Sequence, residues 1–169
     1  MMDGGVLVRR LLPADWEAYR AIRLRALADA PDAFCATLEE AQAYPPEHWA
    51  ARLENAAVSS ADCPLGAERD GELVGMVWAK VDADDPDTVN LYQMWVAPAC
   101  RGQGVARALL DGAVGWARSR GARTVGLGVN CANRSAVALY ERAGFRVLGE
   151  PYPMAGTPGR MEYAMRLQL

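Results

Sequence analysis

The sequence contains very little of several residue types on which active sites commonly depend. Its 169 residues include one histidine, His48, and one lysine, Lys80. A single histidine excludes a multi-histidine metal site, and a histidine-activated nucleophile would have to rely on His48 alone. The four cysteines form no CxxC pair, so a zinc ribbon is not expected. No metal site is predicted.

Signals for membranes and nucleic acids are also absent from the sequence. Met1–Gly5 lacks the basic start and apolar stretch of a signal peptide, and no apolar run approaches the roughly 18 residues of a membrane span. The 18 basic and 21 acidic side chains give a net charge of −3, without the basic excess of nucleic-acid-binding proteins. We therefore expect a cytoplasmic protein with free thiols and with neither a nucleic-acid nor a membrane partner.

The composition is that of one globular domain. Half of the residues are apolar (51%) and 23% are charged, and a chain of this length can bury a substantial core. Periodicity and turn residues predict one α/β domain over residues 1–169, in the order β-α-α-β-β-β-α-β-α-β-β. The predicted strands are 5–10, 64–69, 73–81, 89–96 (buried on both faces), 123–129, 145–149 and 161–167; the helices are 13–30, 46–55, 103–120 and 133–143; residues 150–159 form a loop.

A glycine-containing turn between a strand and a helix indicates an anion site. The segment Arg101-Gly102-Gln103-Gly104 opens the helix, whose first amides have no intrahelical partners and favour a phosphate. The dinucleotide fingerprint does not fit, because Arg107 stands where its third glycine belongs, and the only lysine lies outside the loop that a Walker A motif would need. The alternative is that the glycines only permit a tight turn.

Two motifs at fixed order and spacing carry a family resemblance. Residues 101–106 (RGQGVA), preceded by Val96-x-Pro98, meet the pattern [QR]-x-x-G-x-[GA], and residues 133–145 meet the pattern N…A…LYE…GF. In these motifs the chain resembles the GCN5-related N-acetyltransferase (GNAT) superfamily, most tightly over residues 88–149. The resemblance implies a single-domain α/β fold whose mixed, mostly antiparallel sheet contains a central splayed parallel strand pair flanked by helices.

The resemblance further implies an N-acyltransferase that uses acetyl-CoA as cosubstrate. Backbone groups of Met94 and Val96 would pair with the pantetheine arm, and the amides of residues 102–107 would hold the pyrophosphate. Asn133 would contact the pantetheine, although asparagine also suits a helix N-cap. The implied cofactor-binding residues are Met94, Trp95, Val96, Arg101, Gly102, Gln103, Gly104, Val105, Ala106, Arg107 and Asn133.

Tyr140 occupies the position where the family often places a tyrosine near the CoA sulfur. Direct attack of a primary amine on the thioester leaves a thiolate, and a phenol could protonate it as general acid. The alternative is a core aromatic, since Tyr140 shares a helix face with Ala136, Val137 and Ala143. The covalent alternative, with Cys100 or Cys131 as nucleophile, is not favoured because direct transfer needs no nucleophile.

The general base is not identified by the resemblance. Relatives carry a glutamate on either central strand, but Asn90 and Gly128 occupy those positions here and neither can act as a base. Deprotonation would pass through water, or through a carboxylate from the variable segments, for which the candidates are Glu68, Glu72, Glu150 and Glu162. His48, next to Trp49, is interpreted as structural.

The acceptor is expected to bind between the first two helices and the late loop. The negative charge and the aromatics suit a small-molecule or peptide amine better than a polyanion. A non-catalytic acyl-CoA-binding module and a nucleotide-binding domain remain the alternatives, and a homodimer through an exposed final strand is a further expectation. The candidate acceptor residues are Phe34, Tyr44, Trp49, Tyr92, Gln93, Tyr152 and Tyr163.

Overall fold

The computed structural model describes residues 5–156 and 159–169. The interpretation of Met1–Gly5 therefore falls almost entirely outside the described residues, as do residues 157–158 of the predicted late loop. The strands are β1 (Leu7–Arg10), β2 (Asp62–Arg69), β3 (Glu72–Val81), β4 (Thr88–Val96), β5 (Thr124–Asn130), β6 (Arg146–Pro153) and β7 (Met161–Gln168). The α-helices are α1 (Trp16–Asp29), α2 (Leu38–Ala43), α3 (Pro46–Val58), α4 (Val105–Ser119) and α5 (Arg134–Arg142).

All seven strands form one mixed sheet in the order β1-β2-β3-β4-β5-β7-β6. Every neighbouring pair is antiparallel except β4 with β5, which is parallel. The β2–β3 hairpin turns at Asp70 (φ 52°) and Gly71 (φ 82°), the positive angles of a type I′ turn. The predicted fold class, including the central parallel pair, is confirmed.

The helices cover the two faces of the sheet. Gly75 of β3 faces Leu109 and Val105 of α4, whereas Trp78, an odd number of residues further along β3, lies 5.8 Å from the ring of Tyr19 on α1. Thus α4 and α1 pack on opposite faces. The predicted helix 103–120 is confirmed as α4, and its Leu109, Leu110, Ala113 and Ala117 are fully buried.

The parallel pair separates part-way along its length. β4 and β5 pair from Thr88↔Thr124 to Leu91↔Leu127 and then part, although both strands continue. Between the pairs Trp78↔Tyr92 and Met76↔Trp95, β4 has two residues (Gln93 and Met94) where β3 has one, and Gln93 has φ 61°. This bulge turns β4 away from β5 and leaves a slot.

The prediction that strand 89–96 is buried on both faces is wrong for its middle. Tyr92 is 50% exposed, and Gln93 and Met94 are only partly buried. The reason is the same separation, since residues beyond Leu91 no longer have β5 beside them.

Two local elements differ from prediction. The short helix α2 was not expected, although Thr37 caps it by accepting a hydrogen bond from the Glu40 amide at 3.1 Å. Strand β6 continues to Pro153 instead of ending at Gly149, because an irregularity at Gly149 (φ 66°) lets pairing with β7 resume at Tyr152.

The final strand is not exposed at an edge. β7 pairs with β5 on one side and with β6 on the other, so the expected dimer through a free final strand is wrong in that detail. Because the chain returns to insert β7 between β5 and β6, the backbone N–H and C=O groups on both edges of β7 find hydrogen-bond partners.

Candidate active site

A cavity of about 1640 Å³ occupies the slot between β4 and β5 and extends over the sheet toward β6 and β7. Its walls come from α1, the segment after α1, β4, the start of α4, β5, α5 and the late strands. The slot between the two strands closes at Leu91 and Leu127, where their pairing ends, although the cavity continues past this point over the sheet. We call this closed end the apex of the slot.

The open end of the slot is formed by the N-terminus of α4. Gly102 (φ 75°) and Gly104 (φ 84°) both adopt left-handed conformations that side chains resist, and Gly104 is the N-cap. No side chain caps this helix, and its first turn contains no acidic residue. The free amides and the positive end of the helix dipole therefore form an anion site next to the cavity.

The edge of β4 that faces the slot carries backbone groups that no neighbouring strand pairs. The Ala97 amide donates to Val74 on β3 at 2.8 Å, so Val96, and by alternation Met94, direct their backbone groups toward the slot. The Val96 carbonyl accepts a hydrogen bond from Arg101 Nε at 2.9 Å, and Arg101 also pairs with Asp29. The strand edge can thus accept an extended ligand, as an added strand would bind.

Asp29 fixes the mouth of the slot from the end of α1. Its carboxylate accepts hydrogen bonds from Trp95 Nε1 at 3.0 Å and from Arg101. These two bonds lower the pKa of Asp29 below its usual value. The Trp95 side chain, only 5% exposed, is thereby committed to this contact.

Helix α5 closes one wall with the two residues predicted there. Asn133 caps the helix by accepting from the Ala136 amide at 3.2 Å, and it also borders the cavity. Tyr140 borders the cavity as well and is 6% exposed, with its ring 5.8 Å from that of Phe145. Burial raises the pKa of Tyr140 to about 12, so its phenol keeps its proton at neutral pH.

All but one of the implied cofactor-binding residues border the cavity. The exception is Gln103, whose side chain accepts from Arg69 at 2.7 Å and donates to the Ala99 carbonyl at 3.2 Å. Cys100 also borders the cavity and is a buried free thiol. The bordering residues are Met94, Trp95, Val96, Arg101, Gly102, Gly104, Val105, Ala106, Arg107 and Asn133.

Of the four candidate glutamates, only Glu162 reaches the cavity. Its Oε1 lies 2.9 Å from the position a Cβ on Gly128 would occupy, and the Tyr152 hydroxyl lies 3.0 Å from the same point. Glu68 instead pairs with Arg9 at 3.3 Å. Asn90 donates to Asp82 at 2.8 Å.

The acceptor residues expected from sequence divide into two groups. Phe34, Tyr92, Gln93 and Tyr152 border the cavity. Tyr44, Trp49 and Tyr163 do not: Trp49 is 3% exposed and packs against Tyr19, and Tyr44 stacks on His48 at 3.8 Å. The structural interpretation of His48 is consistent with this stacking.

Sequence reasoning missed the arginine that borders the same region. Arg23 is 8% exposed, its guanidinium lies 4.7 Å from the centre of the Phe34 ring, and its Nη1 has no hydrogen-bond partner among the described residues. Burial lowers the pKa of Arg23. Its place on the apolar stripe of α1, one turn after the buried Tyr19, was the available signal.

Other site types find no support in the part of the chain that is described. Within residues 5–156 and 159–169, no three His, Cys, Asp or Glu side chains are grouped so as to hold a metal ion. The same residues contain no helix that is both long and apolar enough to cross a bilayer.

A mixed sheet with one splayed parallel pair, beside an uncapped helix N-terminus, can hold an extended ligand that carries a phosphate. The chain belongs to the acetyltransferase (GNAT) family, whose model matches residues 16–145.

The proteins to which this chain is similar are also acetyltransferases. Over 168 residues the chain is 36% identical to a mycothiol acetyltransferase of Cellulomonas flavigena, covering 91% of this chain but 45% of the relative. The chain thus spans less than half the length of the curated relatives it matches. Its fold resembles that of a GNAT-family acetyltransferase from Streptococcus pneumoniae (TM-score 0.85, 23% identity, 97% and 99% of the two chains). It also resembles yncA from Salmonella typhimurium, a structure with the cofactor acetyl-CoA (TM-score 0.81, 22% identity, 96% and 93%).

Proposed function

We propose that the protein is an acetyl-CoA-dependent N-acetyltransferase that transfers an acetyl group directly to a primary amine. The observation that carries this proposal is the slot where β4 and β5 separate, with the uncapped N-terminus of α4 at its open end and Tyr140 in its wall. Family membership and the mycothiol acetyltransferase relatives support the same reaction class.

The residues present fit acetyl-CoA. The amides that follow Gly102 and Gly104 would hold the pyrophosphate, because this helix end lacks any side-chain cap of its own. The free backbone groups of Met94 and Val96 would pair with the amides of the pantetheine arm, and Arg101 would have to release the Val96 carbonyl for both to pair. Asn133 would contact the same arm from the opposite wall.

Tyr140 is the proposed general acid. Bound acetyl-CoA would supply the acetyl group as a reactive thioester. The phenol of Tyr140 is protonated at neutral pH, with a pKa that burial raises to about 12, and it would donate a hydrogen bond to the departing thiolate and then protonate it as the C–S bond breaks. The wall position of the ring, rather than a place deep in the core, is what distinguishes this role from packing alone.

The acceptor is proposed to be a small-molecule or peptide amine. The relatives named for mycothiol acetylation support a small molecule, and the cavity residues Phe34, Tyr92 and Tyr152 offer aromatic surface beside the apex. All four cysteines are free thiols, which supports the proposed cytoplasmic location. A homodimer stays a prediction, tested by measuring the mass in solution.

The test combines turnover with binding. Acetyl transfer from acetyl-CoA would be measured across a panel of amines, and CoA binding would be measured by calorimetry. Transfer to at least one amine, with CoA but neither ATP nor NAD bound, is expected. Binding of CoA without transfer to any amine would favour the non-catalytic acyl-CoA-binding module.

A further inference from the structure

The apex of the slot has a floor without side chains. Gly126 and Gly128 alternate along β5 and face the cavity, and the apex lies between them at Leu127. The Asn90 side-chain oxygen lies 2.9 Å from the position of a Cβ on Gly126. This floor leaves room for side chains that reach in from neighbouring strands.

Glu162 fills that room above Gly128. On β7 it pairs with Asn130 of β5 and with Tyr152 of β6, so its side chain rises on the cavity face beside both strands. Its Oε1 lies only 2.9 Å from the position of a Cβ on Gly128, so a larger residue there would make the carboxylate shift. Gly128 therefore leaves the space that the carboxylate occupies.

Three titratable side chains lie around the Glu162 carboxylate: Tyr152, Cys35 and Cys131. Burial first, and then this carboxylate, raise the pKa of Tyr152, so the phenol remains a neutral hydrogen-bond donor beside it. Burial and the same carboxylate raise the pKa of Cys35, from the segment after α1. Cys131, which follows β5, is the other titratable group that acts on Tyr152.

We propose that Glu162 is the general base of the reaction, receiving the proton of the acceptor amine at the apex. This inference rests on the proposed function. The proposed base lies on β7, because the two positions on the central strands where relatives carry a glutamate hold Asn90 and Gly128. Asn90 has no basic group, and its amide is already bound to Asp82.

The proton and electron balance is complete without another reactant. Glu162 takes one proton from the ammonium nitrogen, which leaves a neutral amine. The amine lone pair forms the new C–N bond at the acetyl carbon while the C–S bond breaks and the sulfur keeps its electron pair. Tyr140 gives its proton to the sulfur and regains one from the nitrogen through solvent. Glu162 releases its proton to solvent, so the products are an amide, a thiol and one proton.

Glu162→Gln separates this role from packing. At pH 7 we expect kcat to fall by about 10²-fold or more, because a general base contributes roughly that factor. The loss should shrink as pH rises through the pKa of the amine, since a neutral amine needs no base. Calorimetry should give an unchanged Kd for CoA. Glu150→Gln, on exposed β6, is the matched control and should behave as wild type.

A second variant keeps the test decisive if Glu162→Gln folds poorly. Gly128→Ala should displace the carboxylate and lower kcat with CoA affinity unchanged, whereas Gly115→Ala, whose added Cβ meets nothing within 4 Å, should not. A carbon-13 NMR titration of the Glu162 carboxyl, with and without a saturating amine, provides a readout apart from activity: the amine should shift its midpoint.

The outcomes distinguish the two levels of the proposal. If the wild type acetylates an amine and both Glu162→Gln and Gly128→Ala match it at pH 7, Glu162 is not the base. A uniform loss at all pH values would also overturn the role and indicate packing. If the wild type binds CoA but acetylates no amine, the proposed function itself fails.

A separate observation bears on the acceptor. Arg23 is buried at the cavity wall with Nη1 unpartnered among the described residues, and burial first, then the like charge of Arg52, lowers its pKa. Guanidinium groups stay protonated in proteins, and a buried charge without a partner is strongly unfavourable. An anion from a ligand would relieve this.

We infer that the acceptor amine carries a carboxylate that pairs with Arg23. This second inference also rests on the proposed function but is independent of Glu162. The guanidinium carbon of Arg23 lies over the Phe34 ring, 4.7 Å from its centre, and this contact restricts where the guanidinium can move. A planar guanidinium so held can bind a carboxylate through two parallel hydrogen bonds.

The test uses amino acids of increasing length, from glycine to aminohexanoate, each beside its amide. The wild type should acetylate at least one acid with a lower KM than its amide, and Arg23→Met should raise that KM about tenfold or more, as expected for a charged hydrogen bond. Calorimetry of that acid with the CoA complex should show the same loss. Arg118→Met, on the exposed face of α4, is the control. The inference would be overturned if the wild type preferred every amide to its acid, or if Arg23→Met raised the KM of acid and amide equally.

Discussion

At the scale of single residues, burial decides what Tyr140 can do. Removal from water disfavours the phenolate, so the pKa of Tyr140 rises to about 12 and the hydroxyl remains a proton donor throughout the physiological range. The ring is 6% exposed, yet it borders the cavity, so a packing role and a chemical role coexist. Removing only the hydroxyl separates them.

Tyr140→Phe should lower kcat by about 10²-fold or more, because general-acid catalysis contributes roughly that factor. The Kd for CoA should change little, since the ring stays in place. Steady-state kinetics with a good amine acceptor, together with calorimetry, checks both quantities. Unchanged kcat would contradict the general-acid role.

The same substitution has a consequence for alkaline stability. The folded-state pKa of Tyr140 lies above the ordinary value of 10, so its contribution to folding is present below pH 10 and is lost as pH rises toward 12. Two pKa units correspond to about 3 kcal/mol. Between pH 10 and 12, Tyr140→Phe should therefore lose about that much less unfolding free energy than the wild type. Urea unfolding at each pH measures the difference, and equal losses would contradict it.

The sequence predicted the anion loop and Tyr140 better than it predicted the proposed base and the buried arginine. The anion loop and Tyr140 lie in short contiguous motifs, and the structure places them around one slot. Glu162 could not be chosen among four glutamates, because its closeness to Gly128 depends on the register of β7 against β5. Arg23 was hidden for a related reason: an arginine on an apolar stripe shows its lack of a partner only after the helices pack.

At the scale of elements, the turn before α4 is the feature on which the proposed phosphate binding depends. Gly104 and Gly121 lie at opposite ends of this helix with nearly equal φ angles, 84° and 79°. An added Cβ meets no atom within 4 Å at either position, so the cost of alanine at both is conformational. Only the N-terminal position is next to the free amides.

Gly104→Ala and Gly121→Ala should each lower the unfolding free energy by about 1–2 kcal/mol, the cost of a left-handed alanine. Only Gly104→Ala should weaken CoA binding, because strain there displaces the amides that would hold the pyrophosphate. Denaturant unfolding and calorimetry measure the two effects. Equal CoA affinity in both variants would contradict the role assigned to this turn.

Element boundaries show where local sequence was sufficient. The two strands 64–69 and 73–81 and the helix 103–120 depend on neighbouring residues and were predicted correctly to within two residues. The continuation of β6 past Gly149 and the interior place of β7 depend on pairing between distant segments, which no local pattern contains. The exposed Tyr92 likewise follows from the separation of β4 from β5, a property of the pair.

At the scale of the whole molecule, the sheet consists of two parts that are joined by a short stretch of backbone pairing. Strands β1–β4 and strands β5–β7 meet only through the four register pairs from Thr88↔Thr124 to Leu91↔Leu127. Beyond Leu91 the facing strand edges are separated by the slot. A ligand that pairs with β4 and contacts Asn133 on α5 would connect the two parts.

CoA should therefore stabilise the whole fold and not only its site. At a concentration about 100 times its Kd, mass action adds about 2.7 kcal/mol, and for a chain of this size each kcal/mol raises Tm by about 2–4 °C. We expect thermal denaturation to show a rise of about 5–10 °C with CoA. NAD, which also has a pyrophosphate but lacks a pantetheine arm, should give a much smaller shift at the same concentration. Equal shifts from the two ligands would mean that the anion loop alone carries binding, and the splayed strands would then have no part in holding the ligand.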